Sequence, residues 1–104
     1  MIRNVVLGRL REAAGPAQQA ADAEMLRTGL AGIAALDLPG CLDMRTGADL
    51  GIRAGGWDYA ITNDWADEAS YRGYDADEEH NRLRREIFAK ICQDIARVQF
   101  QIDG

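Results

Sequence analysis

The spacing of apolar residues changes along this chain, and the order of those changes restricts its fold more than any other feature. Alternating or continuous apolar runs, which are typical of strands, exchange with the wider spacing of helices. The predicted strands are residues 2–11, 41–48, 57–65 and 96–103, and the predicted helices are residues 16–35, 67–74 and 75–93. This βαββαβ order predicts an α+β fold in which one four-stranded antiparallel sheet carries its helices on one face.

Length and charge restrict the protein further. The 104 residues, 47% of them apolar, predict a single domain spanning residues 1–104 with its own hydrophobic core. The formal net charge is −5, so no excess of Lys and Arg is present to displace the counterions of a phosphate backbone, and nucleic acid is not expected as a partner. Arg82, Arg84 and Arg85 follow acidic residues on one predicted helix, an order typical of a solvated helix surface.

The few metal-binding and redox-active residues are widely spaced. Cys41, Cys92 and the one histidine, His80, lack the spacing of metal ligands, so no metal site is expected. The strand pattern begins directly after Met1 without a signal-peptide core, and no apolar run reaches the ~18 residues of a membrane span. These patterns predict a cytoplasmic protein with reduced thiols and no membrane contact.

Two strands carry residues that are unusual for a packed sheet. Asn4 and Gly8 fall on the same face of the first strand, and both residue types are poor strand formers. Their position predicts either a bulge or a pocket wall in which Gly8 makes room and Asn4 offers a hydrogen bond. One face of the third strand is rich in aromatic residues and consists of Trp57, Tyr59, Ile61, Asn63 and Trp65.

His80 lies on the apolar side of its predicted helix. At ~100° per residue, one narrow band of that helix holds His80, Leu83, Ile87 and Ile91. The imidazole is therefore predicted to point inward. An inward histidine on an apolar face is more often a satisfied core residue than a functional one, so the helix pattern alone leaves both interpretations open.

The sheet face away from the helices has a mixed composition. On the first strand, Val5 and Leu7 lie beside Arg3, Arg9 and Arg11. An apolar patch with a charged rim fits a subunit interface better than free solvent. We therefore expect a homodimer in which two sheets face each other.

Three segments of the chain resemble a known family. The opening IRNVVLGRL, the block GGWDYAITNDWADEASYRGY and the segment YDADEEHNRL are similar to the stress-responsive A/B barrel, or Dabb, family of dimeric α/β barrels. The resemblance extends from Met1 to about Asp103. It implies a ferredoxin-like fold and, again, a homodimer.

The resemblance also implies a chemistry. The family includes plant polyketide cyclases in which a tyrosine and a histidine, six positions apart, line a pocket, and this pair corresponds to Tyr74 and His80. It implies a cofactor-free aldol condensation of a small aromatic or polyketide-like ligand, with His80 as general base and Tyr74 orienting the substrate carbonyl. A neutral imidazole can remove an acidic proton between two carbonyls while a phenol stabilises the enolate.

The implied topology gathers the remaining candidate residues. Strands one and three become antiparallel neighbours, which brings Asn4 close to Asn63. The expected cavity has polar groups from Asn4, Tyr59, Asn63, Tyr74 and His80, space from Gly8, and apolar walls from Trp57, Ile61 and Trp65. Asn4 stands where the family commonly has histidine, and Gly8 replaces a large apolar residue. An asparagine cannot transfer a proton, so these departures predict an enlarged pocket with one base.

Two alternative functions remain at the level of sequence. In a non-catalytic stress-response dimer, His80 and Tyr74 would bond to protein groups around a vestigial pocket. A cofactor-independent monooxygenase of the same superfamily is the other alternative, because Asn4, Trp65 and His80 resemble an Asn/Trp/His set used there.

Overall fold

The chain forms a four-stranded sheet covered by helices on one face. The structure, a computed structural model, describes residues 1–103. Its strands are β1 (Ile2–Leu10), β2 (Cys41–Ala48), β3 (Tyr59–Trp65) and β4 (Cys92–Gln101). The helices are α1 (Pro16–Ala34), α2 (Glu68–Ala76), α3 (Glu78–Leu83) and α4 (Ala89–Ile91), with a π-helical turn at Arg84–Phe88 joining α3 to α4. The predicted α+β class and βαββαβ order are confirmed.

All strand pairs are antiparallel, in the spatial order β2-β3-β1-β4. The two central strands are β1 and β3, and their register places Asn4 directly opposite Asn63. The proximity of these two residues, expected from the topology, is therefore confirmed. Because β1 and β3 are central, side chains on their helix-covered face have a neighbouring strand on each side, and Asn4 and Asn63 are both buried.

The core lies between the helix-covered face and α1, α3 and the π turn. Its buried residues are Leu26, Leu30, Ile33, Tyr59, Ile61, Leu83, Phe88 and Ile91. The helices approach closely at two glycines of α1. A Cβ on Gly29 would lie 2.9 Å from Phe88, and a Cβ on Gly32 would lie 2.9 Å from Leu83. These glycines let α1 pack directly on the helices that carry the candidate site.

Several predicted boundaries differ from the structure, and three of the differences have a clear local cause. Strand β3 begins at Tyr59 rather than Trp57, because the backbone bends at Asp58, whose carboxylate accepts a 2.7 Å hydrogen bond from the Leu10 amide. The last strand begins at Cys92 rather than residue 96, because α4 ends at Ile91 with no loop. The preceding helix consequently stops two residues before its predicted end at residue 93.

The helix that carries His80 begins at Glu78 rather than at its predicted start, residue 75, and its cap is Asp77. Helix α2 continues to Ala76, so Asp75 is still helical and cannot begin the next helix. The backbone becomes extended at Asp77, and its carboxylate accepts a 2.9 Å hydrogen bond from the His80 amide. This is the ordinary N-cap geometry.

The π turn changes which residues face the core. In a regular helix, Leu83 would be followed inward by Ile87, as predicted. The extra residue in a π turn rotates the following residues backward, and Phe88 is buried at 4% exposure while Ile87 is half-buried. Leu83 and Ile91 remain in the core as predicted, on either side of the inserted turn.

The sheet face without helices, called the open face here, is partly apolar. Its β1 residues Val5 and Leu7 pair with Val98 and Ala96 of β4. Val98 is 53% exposed and Phe100 is 45% exposed, although their alternation with polar residues along the strand is typical of a half-buried strand. Within one protomer, therefore, nothing in residues 1–103 covers the apolar side of β4.

Candidate functional site

The backbone at the start of α3 positions His80. The side chain of Asp77 caps the helix through the His80 amide, which fixes the histidine backbone in the first helical turn. The ring turns back toward α2, where Nδ1 lies 2.8 Å from the carbonyl oxygen of Tyr74. The six-residue separation of this pair thus spans the junction between two helices. His80 is buried at 7% exposure, as the helix pattern predicts.

The contact at Nδ1 determines the tautomer of His80. A carbonyl oxygen can only accept a hydrogen bond, so Nδ1 must carry the proton and donate it. In the neutral ring, Nε2 then holds a free lone pair. Within residues 1–103, Nε2 has no hydrogen-bond partner. Every side-chain nitrogen or oxygen that is fully buried in this part of the chain does have a partner. Nε2 therefore is not sealed in the core, and His80 lines the adjacent cavity.

Tyr74 lies in the middle of an aromatic stack. The His80 ring is parallel to the Tyr74 ring within 23°, with centroids 4.0 Å apart. The ring of Trp65 packs at 5.0 Å from that of Tyr74, with an interplanar angle of 32°. Trp65 is fully buried, so its ring limits the movement of the Tyr74 ring. This stack fixes the positions of both candidate chemical groups.

Burial favours the uncharged form of each group. It lowers the pKa of His80 below its ordinary 6.5, and the Arg84 charge acts in the same direction, partly offset by the Tyr74 carbonyl. It also raises the pKa of Tyr74 to about 12, against a smaller opposing effect of the Asn63 side chain. Near neutral pH the histidine is therefore a neutral base and the tyrosine a protonated hydrogen-bond donor.

A small cavity of about 40 Å³ lies beside this pair, between the sheet and α2, α3 and the π turn. Five of the predicted site residues line it: Asn4, Tyr59, Ile61, Tyr74 and His80. Its volume is enough for a few water molecules, at ~10–15 Å³ for each. The structure thus brings the polar groups of β1, β3 and the two helices to one enclosed space.

Asn4 and Asn63 belong to a hydrogen-bonded chain that crosses the sheet. The side-chain nitrogen Nδ2 of Asn4 donates to Asn63 Oδ1 at 3.1 Å, and the Trp65 indole nitrogen donates to the same oxygen at 2.6 Å. On the other side, Gln99 donates to Asn4 Oδ1 at 2.9 Å. Asn4 reaches the cavity, whereas Asn63 does not line it and acts as the link that holds Asn4 and Trp65 in place.

Three further predicted site residues lie away from the cavity. A Cβ on Gly8 would lie 2.0 Å from the Tyr59 ring, so Gly8 makes room for that ring rather than for a ligand. Trp57 lies beyond the start of β3, where Arg9 packs 4.2 Å above its ring. Trp65 is separated from the cavity by Tyr74 because it stacks on the outer side of that ring.

Several cavity residues were not identified from the sequence. Polar and charged members come from the mouth, and they are Tyr71, Asp75, Arg84 and Arg97. Apolar members come from the core, and they are Val6, Ile33, Phe88 and Ile95. Tyr71 precedes Tyr74 by three helical positions, a spacing that predicts a shared face. Arg97 could not be identified in this way, because the alternation of β4 predicts that Val98 and Phe100, on the opposite face, point toward the core.

Neither a metal site nor a membrane-spanning helix is present among the described residues. Within residues 1–103, no three His, Cys, Asp or Glu side chains lie close enough together to hold a metal ion. No helix in the described part of the chain is long and apolar enough to cross a membrane. What the cavity does contain is a base, a phenol and an amide around an apolar wall, the usual composition of a small-molecule site.

The fold and this site define a ferredoxin-like α/β protein of the dimeric class. A dimeric ferredoxin-like protein of unknown function from Thermobifida fusca YX is 30% identical, with a TM-score of 0.79, over 97% of this chain and 90% of its own. The chain therefore belongs to the same family of dimeric ferredoxin-like proteins as this relative. No protein-family model matches the chain, and no curated protein sequence does.

Two more solved structures share the fold at lower identity. A Dabb family protein from Mesorhizobium loti MAFF303099 is 16% identical, with a TM-score of 0.73, over 99% of this chain and 97% of its own. An antibiotic biosynthesis monooxygenase is 19% identical, with a TM-score of 0.69, over the whole of both chains. At these identities the similarity concerns the fold alone.

Proposed function

We propose that this protein is a homodimeric, cofactor-free enzyme that forms an enolate from a small aromatic or polyketide-like carbonyl compound. His80 is the general base and Tyr74 the hydrogen-bond donor to the enolate oxygen. The observation that carries the proposal is the hydrogen bond from His80 Nδ1 to the Tyr74 carbonyl, because it leaves Nε2 unprotonated at the cavity. A base needs that lone pair near its substrate.

The proposed reaction uses one proton and returns it. Nε2 of His80 removes a proton from a carbon between two carbonyls; the electron pair of the C–H bond forms a carbon–carbon double bond, and the π pair of one carbonyl moves to its oxygen. The enolate oxygen accepts a hydrogen bond from the Tyr74 hydroxyl. The enolate carbon then bonds to the carbon of a further, more distant carbonyl of the same molecule, and the alkoxide formed there takes the proton back from the imidazolium. The step needs no oxidant and leaves His80 neutral.

Substrate entry requires the mouth of the cavity to open. A volume of about 40 Å³ holds a few waters, whereas an aromatic ring needs a cavity on the order of 150 Å³. Arg97 is exposed and Tyr71 is half-buried, so these mouth residues can change rotamer at little cost in packing. The inner residues Asn4, Tyr74 and His80 are held by stacking and hydrogen bonds and stay in place.

The dimeric state of the 30% identical relative supports the homodimer. The open face carries Val5, Leu7, Val98 and Phe100, an apolar surface that a second copy can cover. The His80 cavity lies on the opposite, helix-covered face. Dimer formation would therefore leave both cavities available.

The test of this proposal is proton exchange rather than a complete condensation, because exchange needs only the first step. A phenyl 1,3-diketone deuterated at its methylene is incubated with the protein, and loss of deuterium is followed by NMR. The expected result is exchange above the buffer rate in the wild type and its loss in His80→Gln. Glu78→Gln, which removes an exposed acid from the same helix, serves as the control and keeps the wild-type rate. Exchange by His80→Gln at the wild-type rate would refute the role of His80.

A second candidate, a non-catalytic dimer, has one specific observation in its favour. The Asn4 side chain is already engaged on both sides by Asn63 and Gln99, and the cavity beside it is small. These features suit a stable core without a ligand. Exchange at the buffer rate by the wild-type protein, together with unchanged spectra of His80 in the presence of the diketone, would favour this candidate.

A further inference from the structure

A surface groove that contains three arginines lies beside the His80 cavity. This groove, called the arginine groove here, has a volume of about 350 Å³ and is lined by Arg84, Arg85 and Arg97. Its floor is apolar and comes from Phe88, Ala89 and Ile95. Arg84 and Arg97 also line the cavity, so the two spaces share a wall.

The arginines of the groove differ from Arg82 in their partners. Arg82 is held by Glu79 on one side and by Glu86 at 2.9 Å on the other. Arg84 donates to Asn81 at 3.1 Å and has only Asp75, at 3.7 Å, as a carboxylate neighbour. Arg85 and Arg97 form no ion pair within 4.0 Å among residues 1–103. The basic run of α3 and the π turn therefore divides into one neutralised arginine and two that face the groove.

The placement of these charges is unusual for this protein. The chain carries a formal net charge of −5, yet three arginines from the π turn and β4 meet at one groove with a single weak carboxylate contact. Like charges gathered at one place repel each other, and a bound anion removes that repulsion. Guanidinium groups also match the planar geometry of carboxylate and phosphate oxygens. The apolar floor can cover the hydrocarbon part of the same ligand.

We propose that the arginine groove binds the anionic end, a carboxylate or a phosphate, of the molecule whose carbonyl part enters the His80 cavity. The inference rests on the proposed function for the direction of the ligand, because Arg84 and Arg97 line both the groove and the cavity and would hold an anionic end next to the space that His80 lines. The ligand is thus an amphipathic anion. Its charged end stays at the surface and its reactive carbon reaches the enclosed base.

The binding test uses probes that cannot react, so that it does not depend on turnover. Benzoate and phenyl phosphate carry the two candidate anions, and benzyl alcohol is the neutral counterpart. Their affinities are measured by calorimetry at low salt for the wild type, Arg84→Gln, Arg97→Gln and Arg82→Gln. The last variant removes the same charge from the neighbouring, neutralised position.

The expected result is that Arg84→Gln and Arg97→Gln each weaken anion binding about tenfold, as for a partly exposed charged hydrogen bond. Arg82→Gln keeps the wild-type affinity, and benzyl alcohol binds more weakly than either anion. Tighter binding of phenyl phosphate assigns a phosphate end, and tighter binding of benzoate assigns a carboxylate end. Equal loss in all three variants, or no preference for an anion over the alcohol, would overturn the proposal.

The two proposals can fail separately. His80→Gln should leave benzoate and phenyl phosphate binding unchanged, because the groove arginines do not contact the imidazole through a hydrogen bond in the described structure. If Arg84→Gln and Arg97→Gln weaken anion binding but the wild type catalyses no deuterium exchange, the proposed anion site is supported and the catalytic role of His80 is refuted. If exchange occurs but anion affinity is the same in Arg97→Gln and Arg82→Gln, the catalytic role stands and the groove falls.

Discussion

The imidazole of His80 lies 4.0 Å above the ring of Tyr74 and donates its Nδ1 proton to the carbonyl oxygen of the same residue. One tyrosine thus fixes the plane of the histidine through its ring and the tautomer through its backbone. The phenol hydroxyl takes no part in either contact. Positioning of the base and stabilisation of the enolate can therefore be separated by mutation.

Removal of the Tyr74 hydroxyl tests this separation. Tyr74→Phe keeps the ring stack and the backbone carbonyl, so the free energy of unfolding should change by no more than about 1 kcal/mol. Diketone exchange should fall about a hundredfold, the loss found when one donor to a developing oxyanion is removed. Thermal unfolding and the NMR exchange rate measure the two effects. A conservative Tyr71→Phe variant serves as control, and equal exchange losses in both variants would contradict a specific role for Tyr74.

The titration of His80 should change stability with pH in a defined direction. Burial lowers the folded-state pKa below the ordinary 6.5, so between these two values the unfolded chain binds a proton that the folded chain does not. The His80 contribution therefore favours unfolding increasingly as the pH falls from 6.5 through the folded-state pKa, and it becomes constant below that value.

Urea unfolding of the wild type and His80→Gln at several pH values measures this contribution as a difference. The gap between the two free energies of unfolding should change in favour of the glutamine variant as the pH falls below 6.5. Carboxylates elsewhere titrate in both proteins and cancel in the difference. A gap that moves in the opposite direction would mean that the folded protein stabilises the imidazolium, which is incompatible with His80 as a neutral base.

The sequence predicts some parts of this arrangement well and others poorly, for physical reasons. Strand alternation determines which residues share a face, so the opposition of Asn4 and Asn63 follows once the topology is known. Helical spacing correctly predicts that His80 faces inward. The sequence has no local signal for the π turn, which buries Phe88 in the core position expected for Ile87. Phe88 of this turn packs beside Gly29 of α1, and helix propensity contains no information about that contact.

The errors at Gly8 and Arg97 have other physical causes. Gly8 indicates that a close neighbour is present, but sequence alone does not tell a ligand from a ring of the protein, and here the neighbour is Tyr59. Arg97 belongs to a strand whose exposed face holds the apolar residues, because a second subunit is expected to cover that face. Alternation therefore assigns the apolar face to the core of one protomer, and the cavity arginine is missed.

Replacement of Gly8 tests whether the space above it belongs to Tyr59. In Gly8→Ala the new Cβ would lie 2.0 Å from the Tyr59 ring, so the ring must move, and overpacking of this kind costs about 1–3 kcal/mol. Gly47→Ala, on strand β2, is the control, because its Cβ would meet nothing within 4 Å. Urea unfolding should show a loss for the first variant only. Equal stability of both variants would mean that the Tyr59 ring moves aside at no cost, and that the close contact at Gly8 is not a packing constraint.

Charge placed on the open face tests the homodimer. Val98 lies on β4 opposite Val5 and is 53% exposed in the protomer, so Val98→Asp inserts a carboxylate into the apolar centre of the expected interface. An unpaired charge buried between two sheets is strongly unfavourable, and light scattering should show a monomer where the wild type is a dimer. Thr28→Asp, on the exposed side of α1, adds the same charge to the opposite layer and should remain dimeric. A dimeric Val98→Asp protein, or a monomeric wild type at micromolar concentration, would place the interface elsewhere or exclude it.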